Sequence, residues 1–181
     1  LILAIILLEA VQAGAAWNFS AYAFTPNYED HTDVVRKTIT ITGLEPNTKY
    51  KVTFSYTATL TYKVLHANGY VAAGWNSQSA FFKKYGVVDE RETSTASGSF
   101  TMAGTSNSNG ELTFQVEFWV EADGGNLYGY DKAEIRGQAS LKVSKIEKAG
   151  GDGDGDDGGG NNPPPSAKYK VNVRAWKVSP G

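Results

Sequence analysis

The sequence predicts an all-β fold, a two-sheet β-sandwich or jelly roll of about eight strands, on three observations. Apolar and polar residues alternate with period two over long stretches, Gly- and Asn-centred pairs fall between those stretches, and no segment after the N-terminus has a helical period. Side chains on a strand point alternately to opposite faces, so period two marks a strand with one oily and one wet face, whereas a helix would scatter the same residues around its circumference. Strands of that kind bury their oily faces against a second sheet.

The chain divides into an apolar segment at 1–16, a sandwich at 17–148, a Gly/Asp/Pro linker at 149–166 and a final strand at 167–181. "KYKVTFSYTATLTYKV" carries the plainest alternation, with Tyr50, Val52, Phe54, Tyr56, Ala58, Leu60, Tyr62 and Val64 on one face. "ELTFQVEFWVEA" repeats it through Leu112, Phe114, Val116, Phe118 and Val120, and "AEIRGQASLKV" through Ile135, Ala139, Leu141 and Val143. "AKYKVNVRAWKV" follows with Tyr169, Val171, Val173 and Ala175; weaker strands are "AWNFSAYAF", "RKTITITG", "GYVAAGW" and "SGSFTMAG". Asn68-Gly69, Asn109-Gly110 and Asp123-Gly124 are pairs suited to the positive φ of tight hairpins.

Composition excludes several classes of function. There is no cysteine, hence no disulfide, thiolate metal site or thiol nucleophile. The charge of −2 comes from 17 basic and 19 acidic residues, and four of the acids, Asp152, Asp154, Asp156 and Asp157, sit in the linker. The near-neutral remainder has no basic stripe for a nucleic acid. The two histidines, His31 and His66, lack ligand spacing, and no nucleophile–His–acid order is present, so the chain reads as a non-enzyme. Glu117 and Glu121 share a wet face of one strand, an arrangement that a glycosidase and an ordinary solvated face have in common.

In "GGDGDGDDGGGNNPPPS" no large apolar residue is available to build a core. Asp152, Asp154 and Asp156 alternate as calcium ligands would, but Asp157 and Pro163 stand where an EF-type loop wants Gly and a bidentate acid. The linker therefore reads first as a tether and second as a Ca²⁺ site.

"GLEPNTKY", with Leu44, Pro46, Thr48 and Tyr50, resembles the tyrosine corner of fibronectin type III modules, which implies that the Tyr50 hydroxyl returns to the backbone of its turn. In those modules the corner comes late, whereas some five strands follow here. The stretch from Trp17 to Val64, a short strand, this turn and a long alternating strand, resembles the opening of camelysin/TasA-like secreted fibre proteins.

The functional expectation rests on "LILAIILLEAVQAGAA". An apolar run followed by small residues is similar to a secretory signal, and with the sequon at Asn18-Phe19-Ser20 it suggests an exported, cell-surface protein with a glycosylation candidate at Asn18. Glu9 and Gln12 interrupt the run after eight residues, short of the roughly 20 that span a bilayer. Retained in the mature chain, Leu1, Ile2, Leu3, Ile5, Ile6, Leu7 and Leu8 would each cost about 1.5–3 kcal/mol to expose. They need burial in a neighbour, either as a donated strand or as a helix in a filament core, as in a type IV pilin. Trp119 and Trp176 fall on the wet sides of their strands and join the candidate subunit interface. The expectation is a subunit of an extracellular filament whose partner is itself in a helical homopolymer; the alternative is a secreted polysaccharide-binding or adhesion module using exposed tryptophan.

Overall fold

A computed structural model describes residues 16–26, 30–125 and 132–149 in full and the backbone of 171–176. Strands β1 (Trp17–Thr25), β2 (Asp30–Ile41), β3 (Lys49–Val64), β4 (Tyr70–Trp75), β5 (Phe82–Tyr85), β6 (Val88–Thr105), β7 (Leu112–Asp123), β8 (Ala133–Lys148) and β9 (Val171–Trp176) form two antiparallel sheets. The first is ordered β1-β8-β3-β6 and the second β5-β4-β7-β2-β9. The pairs β1/β8, β2/β7, β3/β6 and β4/β5 are nested like one long hairpin, and the contacts β3/β8 and β4/β7 roll that hairpin into a sandwich. This nesting is the jelly-roll topology.

Inward residues are those the alternation selects. On β3 every predicted core position is buried except half-buried Tyr56; on β7 all five are buried, and on β8 only Val143 is half-buried. Trp75 is the hub, its ring 5.0 Å from Phe19, 5.0 Å from Phe118, 5.5 Å from Tyr56 and 5.6 Å from Phe100. Phe54 stacks on Phe100 at 5.4 Å and meets Phe114 edge-on at 5.7 Å. Gly137, on the same face of β8, leaves the space that the Phe118 and Val120 side chains fill.

The turn pairs sit between strands as expected, but they are not hairpins. In the eight-strand body only β4 and β5 are consecutive strands of one sheet; every other connection crosses between sheets. A crossing need only span the ~10 Å between packed sheets, so its φ demands differ from those of a two-residue hairpin. Of the expected pairs only Gly110 takes a positive φ (71°); after β7 the positive φ falls on Gly125 rather than Gly124. Gly69 is needed for closeness instead, because a Cβ there would lie 2.9 Å from both the Asp123 carbonyl and Val64 Cγ1.

The tyrosine corner forms. Tyr50 Oη accepts the Glu45 N–H at 3.0 Å, and buried Ser106 accepts the Thr48 N–H at 3.0 Å while donating to the Glu45 carbonyl. The corner thus ties the β2–β3 crossing to the end of β6. At the other side of the first sheet, β8 has one residue, Ser144, without a counterpart on β3, and its hydroxyl donates to the Thr53 carbonyl at 3.1 Å. Such a bulge bends the strand where it outruns β1.

Candidate functional site

A sandwich without a helix on its flank exposes sheet edges, and an edge strand is a template for another chain unless it is short, charged or covered. Three of the four edges carry such protection or are already extended. β5 is four residues long and includes Lys83 and Lys84; the exposed start of β6 carries Asp89, Glu90, Arg91 and Glu92; and β9 lies along β2 with Val171 opposite Ile41 and Trp176 opposite Arg36. β1 is different. Its nine residues, WNFSAYAFT, contain no charge.

The polarity of β1 follows from its pairing. Trp17, Phe19, Ala21, Ala23 and Thr25 are buried, and Asn18, Ser20, Tyr22 and Phe24 face outward. The Tyr22 N–H points away from β8, since it donates to Asp33 Oδ2 across the seam at 2.8 Å. In an antiparallel ladder residues alternate between facing the partner and facing away, so Asn18, Ser20 and Phe24 also turn their N–H and C=O to the open side. Among the described residues, the Tyr22 N–H is the one member of that set with a partner. The seam beneath it is lined from β2 by half-buried Asp33, Val35 and Lys37, and Lys37 Nζ lies 5.2 Å from the centre of the Phe19 ring.

The other sequence candidates fall elsewhere. Trp119 does point to the outer face, in a row with Val34 and Gly74, but its own chain half-buries it. The indole lies over Gly74, where a Cβ would overlap it, and its Nε1 donates to the Asn76 carbonyl at 2.8 Å. Asn76 in turn accepts the Glu117 N–H at 3.0 Å. Among the described residues, the cover of this tryptophan comes from the end of β4. Trp176 has only its backbone position described. Leu1, Ile2, Leu3, Ile5, Ile6, Leu7 and Leu8 lie outside the described residues, as do Asp152, Asp154 and Asp156.

Glu117 and Glu121 are both engaged. Arg36 Nε donates to Glu117 at 2.6 Å, and the Tyr70 hydroxyl donates to Glu121 at 2.5 Å, with burial and Glu121 raising the Tyr70 pKa. His66 accepts the Asn68 N–H at 3.1 Å within its turn. No family model matches the chain, and no curated protein matches it. Its function must therefore be argued from these edges and faces. Among the described residues no helix is long and apolar enough to cross a membrane.

Two further surface features stand out. Exposed Asn18 joins Ser20, Thr57, Thr59, Gln138 and Ser140 around a shallow depression of about 360 Å³ on the outer face of the first sheet. On the second sheet Asp30 and Asp123 face each other. Partial withdrawal from water, then the Asp123 and Glu121 carboxylates, push the Asp30 carboxyl above the ordinary aspartate value. An acid whose pKa is raised by folding holds its proton more tightly in the folded chain, so ionisation weakens the fold. The penalty is complete above the folded pKa and is removed as pH falls from that value to the unfolded one. Asp30→Asn should therefore raise the melting temperature at neutral pH, and the gain should vanish near pH 3, below the usual aspartate pKa. Paired thermal melts across that range check it.

Proposed function

We propose that this chain is the structural subunit of an extracellular, cell-surface filament, polymerised when the apolar strand Leu1–Leu8 of one copy is added to the β1 edge of the next. The observation that carries the reading is the uncharged nine-residue β1, whose outer edge is open at Asn18, Ser20 and Phe24, together with the eight-residue apolar run in the same sequence. The lengths agree, at about 3.3 Å per residue for both. Main-chain hydrogen bonds give such an addition its affinity, and buried side chains give it specificity. Both faces of the run are apolar, which suits a strand with the seam residues Val35 and Lys37 on one side and exposed Tyr22 and Phe24 on the other. A donor and an acceptor on different parts of one surface make a heterologous contact, which propagates into open polymers. The homopolymer needs no enzyme activity, nucleic acid or membrane span.

Ser20→Pro tests the reading. Proline removes an N–H from the open side of β1 and leaves the bonds to β8 in place, a position where edge strands tolerate it. The expected result is a folded monomer with near-native melting behaviour that forms no fibres under electron microscopy. A matching loss of fibres in the deletion of residues 1–13 would identify the donor; normal fibres from either variant would reject the proposal.

A second reading is favoured by the hydroxyl- and amide-lined depression around Gln138 and Thr57, whose donors and acceptors suit the hydroxyls of a polysaccharide. Co-sedimentation with insoluble polysaccharide, unchanged in the chain lacking residues 1–13, would separate adhesion from assembly.

A further inference from the structure

The five large apolar side chains exposed among the described residues are Tyr22, Phe24, Leu65, Tyr85 and Val87. They are scattered in sequence but all lie towards one end of the strands. Thr25, Ala133, Val64 and Val88 form one row across the first sheet, the last that β1 reaches. Leu65 and Val87 stand just beyond that row, with the Leu65 N–H bonded to the Lys132 carbonyl at 2.8 Å. Tyr85 lies at the matching end of the second sheet, in a row with Tyr70, Asp123 and Asp30, and Gly86 next to it donates to the Gly69 carbonyl at 3.0 Å. Tyr22 and Phe24 occupy the last four residues of β1. The exposed large apolar groups thus gather at one end of the sandwich, the apolar end, spread from β1 to β5 among exposed Asp30, Asn68, Asp89 and Lys132. Exposed groups at the other end include Glu45, Asn47, Asn107, Ser108 and Asn109.

The chain enters β1 from the direction of the polar end. Trp17 pairs with Leu141, and β8 runs on for seven more residues, Lys142–Lys148, without β1 beside it. Residues 9–15 are also seven, enough at about 3.3 Å each to pass the rest of that edge. Leu1–Leu8 would then project past the polar end of their own sandwich.

We infer that the polymer is polar, with the polar end of one copy set against the apolar end of the next, and that the donated strand runs parallel to the β1 it joins. The inference rests on the strand-addition reading above and adds its direction and a second surface. Both copies point the same way in a head-to-tail stack. The donor enters at the Thr25 end of the next β1 and advances towards its Trp17 end, so Leu1 lies nearest Trp17 and Leu8 nearest Thr25. Its N-to-C direction is then that of β1. Phe24, Leu65, Tyr85 and Val87 at the apolar end are covered at the same step by the end of the subunit that donates.

The absence of native cysteine makes the direction directly measurable. Asn18 and Phe24 face outward six residues apart, as Ile2 and Leu8 are six apart in the donor. A disulfide requires Cα atoms within about 7 Å. The full chain carrying Leu8→Cys with Phe24→Cys, or Ile2→Cys with Asn18→Cys, should give a ladder of disulfide-linked oligomers when oxidised during assembly. The crossed pairs, Ile2→Cys with Phe24→Cys and Leu8→Cys with Asn18→Cys, should remain mostly monomeric on a non-reducing gel. Ladders from the crossed pairs alone would overturn the parallel direction and leave strand addition standing. No ladder from any pair, in chains that still form fibres, would overturn the β1 groove itself. Val87→Glu should slow fibre growth at least tenfold without shifting the melting temperature; unaffected growth would overturn the role of the apolar end.

Discussion

Replacing Phe118 by alanine is expected to lower the unfolding free energy by about 3–5 kcal/mol. Phe118 is fully buried on β7, its ring 5.0 Å from Trp75 on β4 and 6.3 Å from Phe19 on β1, and it also covers the bare backbone at Gly137 on β8. Four strands from both sheets therefore wall the site. None can collapse inward without breaking its own ladder, and Gly137 has no side chain to swing into the gap. The cavity term should be close to its full value, against a typical domain stability of 5–15 kcal/mol. Phe118→Leu keeps most of the volume and should cost under about 1.5 kcal/mol. Denaturant melts of the two variants check the pair; similar losses from both would show that packing around the ring is looser than the contacts imply.

Gly110→Ala is expected to cost about 2–4 kcal/mol, combining backbone strain with a lost hydrogen bond. Gly110 has φ 71°, and an added Cβ would strike the Leu44 carbonyl, which is backbone and has nowhere to rotate. The same residue accepts the Leu44 N–H at 3.0 Å and donates to Asn107 at 3.0 Å, so any shift that relieves the clash weakens the joint between two crossings. Gly86 is the internal comparison. It has φ 84°, but a Cβ there would find nothing nearer than the Ala67 carbonyl at 4.0 Å. Gly86→Ala should lose only about 1 kcal/mol, the cost of a left-handed alanine. Thermal unfolding of both variants separates conformational preference from collision.

The contrast between these two glycines also shows where the sequence was readable. Alternation located β3 to the residue, from Lys49 to Val64, and β7 to within one residue of each end, because a face buried against a second sheet writes period two into the chain. It missed β5 and the first half of β6. In "FKKY" and "VDERETSTAS" nearly every side chain is exposed or half-buried, so no oily face exists to be seen. The early part of β2 was missed for the same reason, since Asp30, His31 and Thr32 are all exposed. The turn pairs marked connections correctly but not their kind, because whether a turn joins neighbours or crosses between sheets depends on strand order.

The candidate site was less legible. β1 was visible as a strand, yet its standing as an edge depends on pairing with β8, more than a hundred residues later. Trp119 was placed on the right face, but its cover, Gly74 and Asn76, is set by the β4–β7 register, which local pattern does not carry. The apolar end is assembled from β1, the β3–β4 crossing, the end of β5 and the β5–β6 crossing, and no window of sequence contains it.

The nested pairing has a consequence for how the molecule reaches its final form. The β4/β5 hairpin can close as soon as it is made, but each enclosing pair joins strands farther apart, and Trp17 meets Leu141 only at the last layer. Long-range closure of this kind is slow. At synthesis rates of about 5–20 residues per second, β1 must wait roughly 6–25 seconds for its mate. During that delay one of the least charged strands described is a single, unmatched ribbon, and a folding helper that shields it would act as β1 is made and be released when β8 follows.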